Sequence, residues 1–98
     1  MKITNTSVAL FVGGDVARRV QRKKFINLVE MLDKLAMRRS DPHLVRTAVE
    51  LKAGLENQYA AQTHNGRHSQ KVHDVLVRYS DKIVPMYIDA TGRSPYKF

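Results

Sequence analysis

Residues 28–55, LVEMLDKLAMRRSDPHLVRTAVELKAGL, decide the fold. At their centre, Ser40-Asp41-Pro42 marks a boundary. Ser40 or Asp41 can cap the free amides at a helix start, and proline in the first helical position loses nothing by lacking its N–H. On both sides apolar residues recur at helical spacing. The upstream stripe is Phe25, Leu28, Val29, Leu32, Leu35 and Ala36; the downstream stripe is Leu44, Val45, Ala48, Leu51, Leu55 and Tyr59. Arg38 and Arg39 are expected in the last turn of the first helix, where cations suit the negative end of the helix dipole. Gly54 interrupts the second stripe. It either costs about 1 kcal/mol relative to alanine or marks a close approach of another helix.

Asn65-Gly66 stops the second helix, and Ser69 can cap a third with the stripe Val72, Val75, Leu76, Tyr79, Ile83 and Met86. Pro85 lies inside that pattern. It removes one backbone hydrogen bond and crowds the carbonyl of Asp81, which predicts a helix that ends or kinks near Ile83, with Met86-Tyr87-Ile88 extended beyond. Thr91-Gly92 reads as a turn opening a tail over residues 91–98. Arg93, Lys97, Tyr96, Phe98 and Pro95 give that tail the composition of a docking segment, or of one that packs on its own bundle through Tyr96 and Phe98. At the other end, residues 3–12 are rich in Thr, Val and Phe and close at Gly13-Gly14, the pattern of a short strand or extended segment. Asp15 then offers an N-cap.

Three helices with short connections can bury their stripes only against one another. The expected fold is all-α: an antiparallel three-helix bundle over 15–90 in a single domain spanning 1–98. An extended N-terminal segment covers 1–14 and a tail covers 91–98. Residues 8–12 could pair with Tyr87-Ile88 as a two-stranded ribbon. Left unpaired, they form an edge able to recruit a second copy of the chain into a homo-oligomer.

Composition narrows the function classes. With 43% hydrophobic residues in 98, the chain belongs with folded domains rather than disordered ones. It has no cysteine, which excludes disulfides, thiolate metal ligands and thiol catalysis. The longest apolar run, residues 8–12, is far short of the ~20 residues a membrane helix needs and of a secretory h-region of ~7–15 residues. No membrane partner is expected, and a cytoplasmic location is.

The formal charge is +8, and its distribution is uneven. Residues 1–24 contribute +5, residues 25–63 cancel to zero, and residues 64–98 contribute +3. Within the first block, Arg18, Arg19, Arg22, Lys23 and Lys24 are five of the seven residues 18–24, which include no acid. On a helical wheel Arg18 and Arg22 share the arc of Val29 and Ala36. That predicts a first pair of turns projecting past the bundle, charged nearly all round, where a phosphate backbone could be followed. Lys71, Arg78 and Lys82 form a second basic line on the third helix beside Tyr79, a ring that could stack on a base or, as the plainer reading, close the edge of the core.

Other constellations carry less. His64 and His68 have the i,i+4 spacing of a metal pair, but Asn65-Gly66 breaks the helix between them. With His73 they lack an acid before Asp74 to complete a ligand set, so no metal is expected. The serines sit in no nucleophile elbow, the nine carboxylates are scattered, and Gly13-Gly14-Asp15 lacks the spacing of a phosphate loop. No catalytic residue and no cofactor are assigned. The expected function is therefore non-catalytic: a small basic helical accessory protein binding nucleic acid through phosphate contacts. The alternative is an interaction module (inhibitor, adaptor or assembly subunit) whose basic helix docks on an acidic protein surface.

Overall fold

Asp41 settles where the second helix begins. Its Oδ1 accepts a hydrogen bond from the Leu44 N–H at 3.1 Å, the geometry of an N-cap, and Pro42 follows as the first helical residue. This is seen in a computed structural model that describes residues 15–63 and 70–95. These residues form three α-helices, α1 (Asp15–Ala36), α2 (Pro42–Thr63) and α3 (Gln70–Thr91), and every pair of helices is in contact. No strand occurs among the described residues. The expected three-helix bundle is the observed fold. Residues 1–14, 64–69 and 96–98, and with them the expected strand, the Asn65-Gly66 stop, the Ser69 cap and the aromatic tail, lie outside the described residues.

Cross-helix contacts define the register. Phe25 stacks on Tyr59 with ring centroids 4.0 Å apart, and Asp33 meets Lys52 at 2.8 Å. Numbers rise along α1 as they fall along α2, so these two helices are antiparallel. The connection from α2 returns α3 alongside α1 in the same direction. The core comprises Leu28, Met31, Leu32 and Leu35 from α1, Ala48 and Leu55 from α2, and Val72, Val75, Leu76, Ile83 and Tyr87 from α3. Each fully buried aliphatic side chain contributes roughly 1.5–3 kcal/mol over its exposed state.

Three expectations are corrected. First, α3 does not stop near Ile83; it continues through Pro85 to Thr91. Ile83 is fully buried and Tyr87 is 9% exposed, so core contacts on both sides of the proline hold the helical path. Pro85 itself and Asp81, whose carbonyl loses its partner, are both exposed, so water can satisfy the freed group. Second, Tyr87 and Ile88 are therefore helical and cannot form one strand of a ribbon. Third, α1 ends at Ala36, before Arg38 and Arg39. The chain tightens there through N–H bonds of Met37 to the Lys34 carbonyl (3.2 Å) and of Arg38 to the Leu35 carbonyl (3.1 Å), leaving Lys34 as the cation of the last turn.

The predicted turn at Thr91-Gly92 is present. Gly92 has φ 71°, where a side chain would be strained, and its N–H donates to the Ile88 carbonyl at 2.7 Å. Gly54 is a site of close approach: a Cβ there would stand 2.7 Å from the Tyr79 hydroxyl oxygen. Its missing side chain is what lets α3 lay a tyrosine across α2.

Candidate nucleic-acid interface

The head of α1 is clamped to the bundle rather than projecting beyond it. Gln21 sits seven residues before Leu28, on the same stripe, and is 1% exposed. Among the described residues, no buried side-chain nitrogen or oxygen lacks a hydrogen-bond partner, so the amide of Gln21 is satisfied inside the protein. One turn further, Phe25 stacks on Tyr59 at the end of α2. Period alone could have found Gln21, since it continues the positions of Leu28, Leu32 and Leu35. Its amide disguised it as surface.

Around this anchored stripe, Arg18, Arg19, Arg22, Lys23 and Lys24 are all exposed. They leave the helix in different directions. Arg22 lies close enough to Tyr59 for its charge to act on the phenol. Burial raises the Tyr59 pKa above its ordinary value, and the Arg22 guanidinium pulls it partly back. Lys23 and Lys24 instead line a cavity between α1 and α3.

Lys71, Arg78 and Lys82 are exposed on α3. Tyr79, beside them, is half-buried, with its hydroxyl against Gly54 of α2, and the Lys82 ammonium lies 5.8 Å from the ring centroid. The tyrosine closes the edge of the core, and the lysine sits at cation–π distance from its ring. This basic line consequently borders α2, whereas Lys23 and Lys24 border the opposite side of α3. The two groups do not merge into one continuous track.

What the topology does bring together is one end of the bundle. Because α1 and α3 run parallel, their N-terminal halves lie side by side against the C-terminal half of α2. Those halves (15–25, 53–63 and 70–80) carry Arg18, Arg19, Arg22, Lys23, Lys24, Lys71 and Arg78 against Asp15, Glu56 and Asp74. The rest of the described chain (26–52 and 81–95) carries seven cations, Lys34, Arg38, Arg39, Arg46, Lys52, Lys82 and Arg93, against six carboxylates, Glu30, Asp33, Asp41, Glu50, Asp81 and Asp89. The positive excess of the described residues therefore lies mainly at the first of these ends.

The basic end is also charged against its own helices. Two helix N-termini, each equivalent to roughly +0.5 charge, share this end, and such termini favour anions. Arg18 nevertheless closes the first turn of α1, and Lys71 is the second residue of α3. Arg18 with Arg22, and Arg19 with Lys23, are like-charge i,i+4 pairs that destabilise a helix by a few tenths of a kcal/mol each. Among the described residues, Arg22, Lys23, Lys24, Lys71, Arg78 and Lys82 make no ion pair with a carboxylate; the ion pair at 2.8 Å joins Lys52 to Asp33 elsewhere. That contact, a hydrogen bond first and a charge attraction second, raises the Lys52 pKa.

His64 and His68 lie outside the described residues, and His73 is half-buried near the start of α3. Among the described residues no three His, Cys, Asp or Glu side chains are grouped to hold a metal ion. No helix among them is long and apolar enough to cross a membrane. Compared with known protein families, curated proteins and solved structures, the chain has no match.

Proposed function

We propose that this protein binds nucleic acid, without catalysing a reaction, by laying the basic end of its bundle on phosphates. The observation that supports this reading is the parallel pairing of α1 with α3. It gathers seven cations into one half of the bundle, and two of them, Arg18 and Lys71, stand in first helical turns, where the helix dipole favours acids. A local arrangement that opposes helix stability points to a role outside the fold. Phosphate oxygens would relieve the mutual repulsion of these groups and release counterions from the nucleic acid.

Binding of this kind is sequence-tolerant, with Kd of order 10⁻⁴–10⁻⁶ M at physiological salt. The test is a fluorescence titration with random duplex and single-stranded DNA and RNA from ~50 to ~200 mM salt. Engagement of five to seven phosphates should make log K fall against log salt with a slope of about −4 to −6. Serine at Arg18, Arg19, Arg22, Lys23 and Lys24 should flatten that slope while the helical circular dichroism is kept, because all five side chains are exposed. Absence of binding to every nucleic acid at the lowest salt rejects the proposal.

A further inference from the structure

The cavity that Lys23 and Lys24 enter is a groove of about 820 Å³ running along α1 and α3. Leu28, Met31, Leu76 and Tyr87 contribute apolar surface to it. The apolar surface continues outward over the lip on α3. Val77, Val84 and Ile88 share one face of that helix at i, i+7 and i+11, and Val77 and Ile88 are each 41% exposed.

Charge along the groove alternates. Lys23 and Lys24 stand at one end and Lys34 at the other, about 15 Å away at 1.5 Å per residue. Glu30 and Asp81 lie between them. None of these five groups makes an ion pair among the described residues, so the pattern of plus, minus, plus is presented outward.

We infer that this groove binds an amphipathic helix of a partner protein. The apolar face of that helix would be flanked by carboxylates about three turns apart, with a cation midway. Each feature of the groove selects one feature of the occupant. A trough between two parallel helices, bordered also by Pro95 beyond α3, accepts a helix that packs as a fourth member of the bundle. The exposed valine and isoleucine call for an apolar face. The order of charges calls for its complement in both sign and spacing. The inference is separate from phosphate binding, although it shares Lys23 and Lys24 with it. Occupation of the groove would neutralise those two lysines and so compete with nucleic acid.

The test uses the full chain and two labelled synthetic 18-residue helical peptides with the same leucine face. One carries Glu eleven residues apart with Lys midway; its twin has the signs exchanged. Anisotropy titration should show saturable binding of the first, roughly tenfold or more tighter than the twin. Lys34→Glu should weaken the first peptide by about fivefold. Val77→Asp, at an exposed position, should abolish binding with the helical signal intact. Lys34 lies outside the basic end, so nucleic-acid binding should be unchanged in Lys34→Glu, which keeps the two readings separable.

Equal binding of the two peptides, or none of either, overturns the inference. So does insensitivity to both substitutions. Cosedimentation with phosphatidylserine vesicles without peptide binding would assign the apolar strip to lipid. Self-association in sedimentation without peptide binding would assign it to a second copy.

Discussion

Pro85→Ala should stabilise this protein by about 2 kcal/mol. Proline inside a helix costs about 3 kcal/mol relative to alanine, because it lacks the N–H and its ring crowds the carbonyl four residues back. Here that carbonyl belongs to Asp81. Alanine restores the donor and removes the ring, and it requires no repacking, since Ile83 and Tyr87 are already seated in the core on either side. Pro85 is exposed, so little apolar burial is lost with the ring. Against the gain stands the freer unfolded chain, worth about 0.4–1 kcal/mol. Urea denaturation should show a higher midpoint with an unchanged slope. Thermal unfolding should shift upward by about 8–16 °C, at 4–8 °C per kcal/mol for a domain of this size. An unchanged or lowered midpoint would refute the reasoning. It would mean that the shape proline imposes is needed to seat Tyr87, rather than being overridden by it.

Gly54→Ala and Tyr79→Phe should be coupled. A Cβ at position 54 meets the Tyr79 hydroxyl at 2.7 Å but the ring carbon behind it at 3.6 Å, an ordinary contact. Alanine should therefore stabilise the Tyr79→Phe protein by about 1 kcal/mol and the unmodified protein by less. Additive melting temperatures across the four proteins of the cycle would contradict that contact. At alkaline pH, Tyr59 should erode stability. Its folded pKa is raised mainly by burial, so the folded state holds the phenolic proton longer than the unfolded state does. The stabilisation is whole below the unfolded value of about 10 and is lost as pH climbs through the folded value. Arg22→Ala should push the Tyr59 titration, followed by ultraviolet absorbance, further upward; a downward move would remove Arg22 from its neighbourhood.

The helices could be read in advance where local chemistry and packing agree. Asp41-Pro42 is a helix start by backbone geometry alone, and the tertiary structure uses it unchanged. The leucines of α1 and the valines of α3 repeat at a spacing that only a helix turns to one side. Reading failed where local chemistry and packing disagree. Pro85 predicts an end or a kink near Ile83, and the burial of Ile83 and Tyr87 overrides the end; Gln21 is polar by type yet lies in the interior by position. Arg38 and Arg39 missed the helix by a turn, because its last residues tighten into the connection.

The candidate site divides in the same way. Its residues were visible one by one: five cations in seven positions need no coordinates to be noticed, and all of them prove exposed. Their arrangement was not visible. The wheel placed Arg18 and Arg22 in line with Val29 and Ala36 and suggested an overhanging helix, whereas Gln21 and Phe25 fasten that segment to the bundle.

Composition, caps and periodicity by themselves determined that this chain makes three amphipathic helices with an excess of positive charge, because each is a property of near neighbours along the backbone. Only the tertiary structure decided that the head of α1 is fastened to the bundle through Gln21 and Phe25, and that a charged apolar groove opens between α1 and α3. Those features depend on contacts between residues far apart along the chain, and charge along a chain becomes a field in space only once the packing of the helices has set its geometry.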